Sequence, residues 1–153
     1  MNIVIEGCDG SGKTAIANLL AKQLGLNYWH ESAPRTYQEY CQMLEFGGTV
    51  FDRFCFGQFV YNQPDERKMT ENELQMLIHE IFPKTNTLLI YVNCPTDVII
   101  DRLIARGEGS TEVKYDMEKW VKNIRGTYKS ILNTAKANYI ELNGTTTLQG
   151  GTQ

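Results

Sequence analysis

A glycine-rich segment of eight residues carries the clearest chemical signal in the sequence. Residues 7–14 read GCDGSGKT and fit the pattern G-x-x-x-x-G-K-[ST]. Glycines let backbone amides curl around a phosphate, the N-terminal end of a following helix attracts the same anion, the lysine reaches the β- and γ-phosphates, and the hydroxyl binds Mg²⁺. We therefore predict a nucleotide site with ATP and Mg²⁺ as cofactors. Its phosphate-binding residues are Gly10, Ser11, Gly12, Lys13 and Thr14.

A second candidate site combines an acidic and a basic residue at the end of a strand pattern. Asp52 and Arg53 follow the apolar residues of the segment TVFDRF, at positions 49–54. In open α/β sheets, ligands bind at the carboxyl ends of the strands, which is where these two side chains are expected. The alternative interpretation is a local ion pair between the two residues, without a ligand.

Strand patterns alternate with helical patterns along the chain, which is typical of the α/β class. We predict strands at residues 2–6, 26–30, 49–52, 87–92 and 138–142. We predict helices at residues 13–24, 37–44, 54–61, 71–81, 96–106 and 113–135. This order favours a five-stranded parallel sheet flanked by helices in three layers. Residues 1–143 are expected to form a single domain, and residues 144–153 a flexible tail.

The composition excludes several classes of protein. The 153 residues carry a formal net charge of −3, which disfavours a protein held on nucleic acid by bulk charge. No stretch approaches 18 uninterrupted apolar residues, so we predict no membrane span. The four cysteines are widely spaced and the first residues lack a signal-peptide pattern, so we expect free thiols and a cytoplasmic protein. We expect both tryptophans, Trp29 and Trp120, to lie in the core.

Three segments together resemble the thymidylate kinases and the related deoxynucleoside kinases. The stretch EGCDGSGKT at residues 6–14 is similar to the first motif of that family, and DRFCFGQFVYN at residues 52–62 is similar to its DRY segment. Residues 94–107 are similar to the approach to the family's lid. The resemblance implies a P-loop kinase fold with a short lid at about residues 107–112.

The resemblance also implies roles for individual residues. Asp52 would lie near Mg²⁺ and the acceptor, Arg53 would hold the acceptor's phosphate or the transferring phosphoryl group, and Asp9 would contact the sugar 3′-hydroxyl. Arg102 and Arg106 would flank ATP and close with the lid. These two arginines are four residues apart on a helix, where like charges repel unless an anion lies between them. The implied sets are Lys13, Asp52, Arg53 and Arg106 for catalysis, Thr14 and Asp52 for the metal, and Asp9, Arg35, Arg53 and Phe54 for the acceptor.

The acceptor region departs from the family pattern. The family's TREPG-like motif is represented by residues 32–35, SAPR, in which Arg35 is the candidate substitute for the family's arginine. Only residues 36–50 lie between this motif and the segment FDRF at residues 51–54. The helix that stacks on thymine in the family is therefore largely missing. Tyr37, Tyr40 and Phe46 are candidates to replace that stacking, and the shortening favours an open acceptor pocket.

Two functions remain open at this point. The first is transfer of the ATP γ-phosphate to a deoxynucleoside monophosphate, dTMP or similar. The second is transfer to a hydroxyl of a deoxynucleoside or of a hydroxymethylated base in DNA, with Asp52 as general base. DNA is a partner only in the second case, and a homodimer is compatible with both. A non-catalytic nucleotide switch is disfavoured, because the sequence has no NKxD motif and has a lid pattern.

Overall fold

The structure, a computed structural model, describes residues 1–107 and 114–145. The described strands are β1 (Asn2–Glu6), β2 (Asn27–His30), β3 (Thr49–Asp52), β4 (Thr87–Asn93) and β5 (Ile140–Asn143). The described helices are α1 (Lys13–Leu24), α2 (Tyr37–Phe46), α3 (Gly57–Val60), α4 (Glu71–Met76), α5 (Phe82–Lys84), α6 (Thr96–Ala105) and α7 (Lys114–Thr134). A 3₁₀ turn at Pro64–Glu66 precedes α4, and a π-helical turn at Leu77–Ile81 joins α4 to α5.

The strands form one parallel sheet in the order β2-β3-β1-β4-β5. The central strand β1 pairs Ile5 with Asp52 of β3 on one side and with Ile90 of β4 on the other. Since β1 and β3 are adjacent and parallel, the segments that follow them leave the sheet at the same edge. The topology therefore brings the glycine-rich segment next to Asp52 and Arg53.

Apolar side chains fill both faces of the sheet. On one face, Ile16, Ala17 and Ala21 of α1 pack in a cluster with Ile3 and Ile5 of β1. On the other face a larger cluster takes side chains from the sheet and from the helices α2, α4, α5, α6 and α7. The predicted α/β fold, with three layers and a five-stranded parallel sheet, is confirmed.

The prediction that both tryptophans are core residues is wrong. Trp29 is 46% exposed, because β2 is an edge strand and all four of its residues are exposed. Trp120 is 41% exposed, because the buried stripe of α7 passes through the neighbouring residue instead. That stripe consists of Val121, Ile124, Tyr128 and Leu132.

The helix boundaries differ from the prediction in two places. The predicted helix at 54–61 is shortened to Gly57–Val60, because residues 54–56 form a turn whose backbone amides bond to Glu6. The predicted helix at 71–81 begins at the Thr70–Glu73 capping box as expected but continues through the π-helical turn to Lys84. Pro83 therefore lies within the last turn of this continuous helix, directly after the π-helical turn, rather than beyond the helix end.

Several expectations fall wholly or partly outside the described residues. Residues 108–112 of the lid, and the tail from residue 146 onward, are among them. None of the helices that the structure describes is long and apolar enough to cross a membrane. All four cysteines are free thiols, as predicted.

Candidate phosphate and acceptor sites

The glycine-rich segment between β1 and α1 has the backbone geometry of a phosphate loop. Gly10 and Gly12 have φ angles of 82° and 97°, in the left-handed region that favours glycine. Gly12 is the N-cap of α1, so the positive end of that helix faces the loop. The ammonium group of Lys13 is buried and lies 3.5 Å from the Asp9 carboxylate. Burial lowers the pKa of Lys13, and the charge of Arg53 lowers it further.

Asp52 is fully buried at the end of β3 and is bonded through one of its carboxylate oxygens. Its Oδ2 accepts hydrogen bonds of 2.7 Å from the Thr14 hydroxyl and 2.7 Å from the Tyr28 hydroxyl. His30 Nδ1 lies 3.3 Å from the same oxygen. Burial opposes ionisation, but the hydrogen bonds and the Lys13 charge outweigh it and hold the pKa of Asp52 below its ordinary value. Asp52 is therefore placed to carry a negative charge.

The surroundings of Asp52 fit a magnesium ion. Its second oxygen, Oδ1, is buried and has no hydrogen-bond partner among the described residues. The Thr14 hydroxyl lies beside this carboxylate and next to Lys13. Mg²⁺ is typically held by one or two protein oxygens together with substrate phosphates and water, and a carboxylate with an adjacent hydroxyl is such a set.

Arg53 has an unusual backbone conformation and contacts an acidic and an aromatic side chain. Its φ angle of 68° is rare for a residue other than glycine. The guanidinium forms an ion pair with Asp9 and lies 4.3 Å from the centre of the Tyr61 ring. Its Nε is buried and has no hydrogen-bond partner in the described part of the chain. The interpretation of a local ion pair between Asp52 and Arg53 is thus replaced, because Arg53 pairs with Asp9 while Asp52 bonds to Thr14, Tyr28 and His30.

A small cavity lies next to Arg53, between the end of β2 and helices α2 and α3. Its walls are formed by Glu31, Ser32, Ala33, Pro34, Tyr40, Arg53, Phe54, Gly57, Gln58, Tyr61 and Asn62. Its volume is about 60 Å³, against roughly 300–1,000 Å³ for typical ligand pockets. This cavity is narrow, whereas a wider groove of about 490 Å³ lies beside β2 and α2, so the open acceptor pocket stays a prediction.

Two of the predicted acceptor residues are placed differently from the expectation. Phe54 lines the cavity but is 2% exposed, because its ring packs against Tyr40 at 4.6 Å and Phe51 at 4.8 Å between ring centres. Arg35 lines the wider groove beside β2 and not this cavity. Its Nε donates to Glu31 at 2.5 Å, and its guanidinium lies 5.7 Å from the centre of the Trp29 ring.

The candidates for replacing the base-stacking helix do not surround the cavity together. Tyr40 is buried, and its hydroxyl accepts from the Gln58 amide at 3.1 Å. Phe46 is 85% exposed at the far end of α2. It lines a separate, wide groove beside β2 together with Trp29 and Arg35. Among these candidates Tyr40 is the one that lines the small cavity beside Arg53.

The two arginines of α6 have different surroundings. Arg102 donates to the carbonyl of Gly10 at 3.1 Å and to the carbonyl of Gly144 at 2.6 Å, so it ties the phosphate loop to the end of β5. Arg106 is exposed and follows the last residue of α6, just before residues 108–113. Arg102 thus contacts the phosphate loop directly, and the proposed role of Arg106 stays a prediction.

Gly144 makes a close approach to the phosphate loop that has no room for a side chain. A Cβ at this position would overlap the carbonyl oxygen of Ser11. Gly144→Ala is therefore expected to displace the loop, to cost about 1–3 kcal/mol of stability and to weaken ATP binding. Gly126→Ala is the control, because Gly126 is exposed within α7 with nothing near its Cβ position, and alanine there is expected to stabilise the helix. Thermal unfolding measures the stability of the two variants, and ATP titration measures their affinity for ATP. Equal stability and equal ATP affinity of the two variants would contradict the close approach.

Sequence reasoning missed several residues of the site. Glu6 is a buried acid at the end of an otherwise largely apolar strand, which is itself a signal of function or of a specific bond. Tyr28 and His30 are two residues apart on β2, so both side chains lie on the face of the strand that meets Asp52. This spacing could have predicted a shared site once the strand was assigned. Glu31 and Gln58 carry no local signal, since their roles depend on the packing of α2 and α3.

A phosphate loop between β1 and α1, at the carboxyl end of the central strand of a five-stranded parallel sheet, is characteristic of the P-loop kinase fold. No family model matches the sequence, and no curated protein matches it. Among solved structures, YorR of Bacillus subtilis in complex with phosphorylated GDP has a TM-score of 0.77 at 21% identity, over 94% of this chain and 86% of YorR.

Two further solved structures belong to kinases of different acceptors. Deoxyadenosine kinase of M. mycoides with bound dATP gives a TM-score of 0.58 at 18% identity, over 97% of this chain and 93% of that one. Shikimate kinase of Acinetobacter baumannii in complex with shikimate gives 0.59 at 15% identity, over 97% and 84%. At these identities the similarity establishes the fold. The similarity does not single out thymidylate kinases, so the acceptor has to be inferred from the chemistry of the site.

Proposed function

We propose that this protein is an ATP-dependent phosphotransferase that moves the γ-phosphate of ATP to a deoxynucleoside monophosphate, dTMP or a similar nucleotide. The observation that carries the proposal is the position of Arg53. Its guanidinium lines the candidate acceptor cavity, pairs with Asp9 of the phosphate loop and has a buried Nε–H that finds no partner among the described residues. A buried N–H without an acceptor is costly, and an anionic phosphate in the cavity would satisfy it.

The ATP half of the reaction rests on the phosphate loop. The backbone amides after Gly10 and the ammonium of Lys13 bind the triphosphate and neutralise charge that develops on the transferring group. Thr14 and Asp52 would hold Mg²⁺, which supplies further charge neutralisation between the phosphates. Arg102 keeps the loop in place through the Gly10 carbonyl.

A phosphate acceptor requires little acid–base chemistry from the protein. Its second pKa is near 6, so at neutral pH it is mostly a dianion and can attack without a general base. The lowered pKa of Asp52 agrees with this, because a carboxylate with a low pKa is a poor proton acceptor. Catalysis then depends on positioning by Arg53 and on charge neutralisation.

Transfer to a hydroxyl group is the second candidate, and one observation favours it. Glu31 is 5% exposed and lines the acceptor cavity, where its carboxylate is paired with Arg35. A nucleoside hydroxyl in the cavity would find a proton acceptor in Glu31 rather than in Asp52. A hydroxymethylated base in DNA belongs to this second candidate only.

An ADP-release assay with different acceptors tests the proposal. We expect ATP and Mg²⁺ to give turnover with deoxynucleoside monophosphates, and less with deoxynucleosides, shikimate or hydroxymethylated DNA. Arg53→Ala is expected to lower kcat/KM for the monophosphate roughly 100-fold. Arg67→Ala is the matched control, since Arg67 also lies over an aromatic ring, that of Phe59 at 5.0 Å, but does not line the acceptor cavity.

The outcomes separate the two candidates. Turnover that requires the 5′-hydroxyl and is lost in Glu31→Gln would favour the second candidate over the first. An absence of stimulation by every acceptor would contradict phosphotransfer altogether.

A further inference from the structure

A buried carboxylate behind the phosphate loop has no part in the chemistry described so far. Glu6 is the last residue of β1 and is fully buried. Its Oε2 accepts from the backbone N–H groups of Phe54 at 2.9 Å and Phe56 at 3.2 Å, and its Oε1 accepts from the Tyr128 hydroxyl at 3.0 Å. These three donors come from the turn after β3 and from α7, so one side chain connects three parts of the fold.

Both carboxyl oxygens of Glu6 have hydrogen-bond partners. The two backbone N–H groups donate to Oε2, and the Tyr128 hydroxyl, which can donate or accept, bonds to Oε1. Burial raises the pKa of Glu6 above its ordinary value, although the Arg53 charge and the hydrogen bonds act in the opposite direction. A fully buried polar side chain costs free energy unless it is hydrogen-bonded, which points to a purpose other than packing.

The turn that Glu6 holds is the turn that carries Arg53. Glu6 binds the N–H groups of the first and the third residues after Arg53, and the N–H of Arg53 itself donates to the Ile5 carbonyl at 2.8 Å. The backbone is therefore fixed on both sides of a residue whose φ is 68°. A backbone in this region persists only where the surroundings determine it, and such residues are found at functional sites. The fixed turn places the guanidinium between Asp9 and the Tyr61 ring.

We infer that Glu6 is a positioning residue for the acceptor phosphate, which acts through Arg53 by holding its turn, with Tyr128 of α7 holding Glu6. This inference rests on the proposed function. Glu6 itself does not line the acceptor cavity, so its effect on catalysis has to pass through Arg53.

A double-mutant cycle between Glu6 and Arg53 tests the inference. Glu6→Gln keeps the shape of the side chain and one acceptor oxygen, but it replaces the second oxygen with an NH₂ group and can no longer carry a negative charge beside Arg53. We expect it to lower kcat/KM for the acceptor about 10- to 100-fold, the range that a displacement near 1 Å produces, with the KM for ATP nearly unchanged. In the Arg53→Ala background, Glu6→Gln is expected to have little further effect, because the group it positions is absent.

A second pair of variants covers the case in which Glu6→Gln does not fold. Tyr128→Phe removes a single hydrogen bond from Glu6 and is expected to lower kcat/KM for the acceptor severalfold. Tyr91→Phe is its control, because Tyr91 is a buried tyrosine that packs on Tyr128 at 5.5 Å between ring centres but does not bond to Glu6. Equal kinetics of these two variants would overturn the inference.

The outcomes also distinguish this inference from the proposed function. Two results would overturn the role of Glu6 and leave the proposed function intact, provided that the wild type turns over. The first is a Glu6→Gln variant with unchanged kcat/KM, and the second is a double variant in which the effects of Glu6→Gln and Arg53→Ala multiply. If the wild type phosphorylates no acceptor, the proposed function is rejected. The Nε–H signal of Arg53 in NMR spectra then tests whether Glu6 holds the position of Arg53. We expect slow hydrogen exchange of that proton in the wild type and fast exchange in Glu6→Gln, whereas equal exchange would overturn the inference.

Discussion

Replacement of Lys13 by alanine is expected to reduce ATP turnover about 100- to 1,000-fold, the range observed when a single group that stabilises transition-state charge is removed. Lys13 is 5% exposed, and the phosphate loop, Asp9 and the start of α1 surround its ammonium group. No other described lysine takes part in this loop, so the variant leaves no nearby replacement. Steady-state ADP release with the preferred acceptor measures the effect.

The matched control for this variant is Lys22→Ala. Lys22 is an exposed lysine in the last turn of the same helix, at the end remote from the phosphate loop. It is expected to retain wild-type turnover. Similar activities of the two variants would mean that the loop does not bind the transferring phosphates.

Asp52→Asn is expected to raise the Mg²⁺ concentration needed for half-maximal turnover by roughly 10- to 100-fold and to lower kcat. The amide keeps one oxygen for the hydrogen bonds from Thr14 and Tyr28, but its NH₂ group takes the place of the unpartnered Oδ1 and cannot bind a cation. Turnover measured across a Mg²⁺ titration tests this expectation. Asp101→Asn, an exposed acid on α6, is the control with no expected change.

The pH profile gives the Asp52 prediction a second measurement. The pKa of Asp52 is lowered from an ordinary value of about 3.9. The carboxylate is thus ionised at every pH above that value, and it loses its charge only as the pH falls through the lowered pKa. Between about pH 5 and 8 we expect no change of kcat/KM that depends on Asp52. A pH-dependent step in that range that disappears in Asp52→Asn would instead assign it a role as general base.

The parts of the site that are encoded locally could be predicted from the sequence. Gly10, Gly12, Lys13 and Thr14 lie within one loop, where the spacing of residue types determines the geometry. Asp52 and Arg53 could be assigned to a site because the end of a parallel strand has a known position in an α/β sheet. The fold followed from the same alternation of strands and helices.

The remaining parts depend on contacts between distant segments. Glu6 meets Phe54 across 48 positions and Tyr128 across 122, and no local pattern indicates such partners. The width of the cavity beside Arg53 depends on how Tyr40 and Gln58 pack, which the length of residues 36–50 does not reveal. The tryptophans show a similar limit, because hydrophobicity does not reveal that β2 is an edge strand.

The exposure of these two tryptophans has an optical consequence. The sequence has no other tryptophan, so the protein's intrinsic indole emission arises from Trp29 and Trp120 alone. Trp120 lies 6.3 Å from the Tyr61 ring, whose face carries the Arg53 guanidinium, and Trp29 lies under the guanidinium of Arg35. Trp120 is thus linked through Tyr61 to the arginine that lines the candidate acceptor cavity, whereas Trp29 and Arg35 line the separate groove beside β2. The Trp120 emission is therefore a reporter for titrations of the acceptor, with Trp29→Phe available to isolate it.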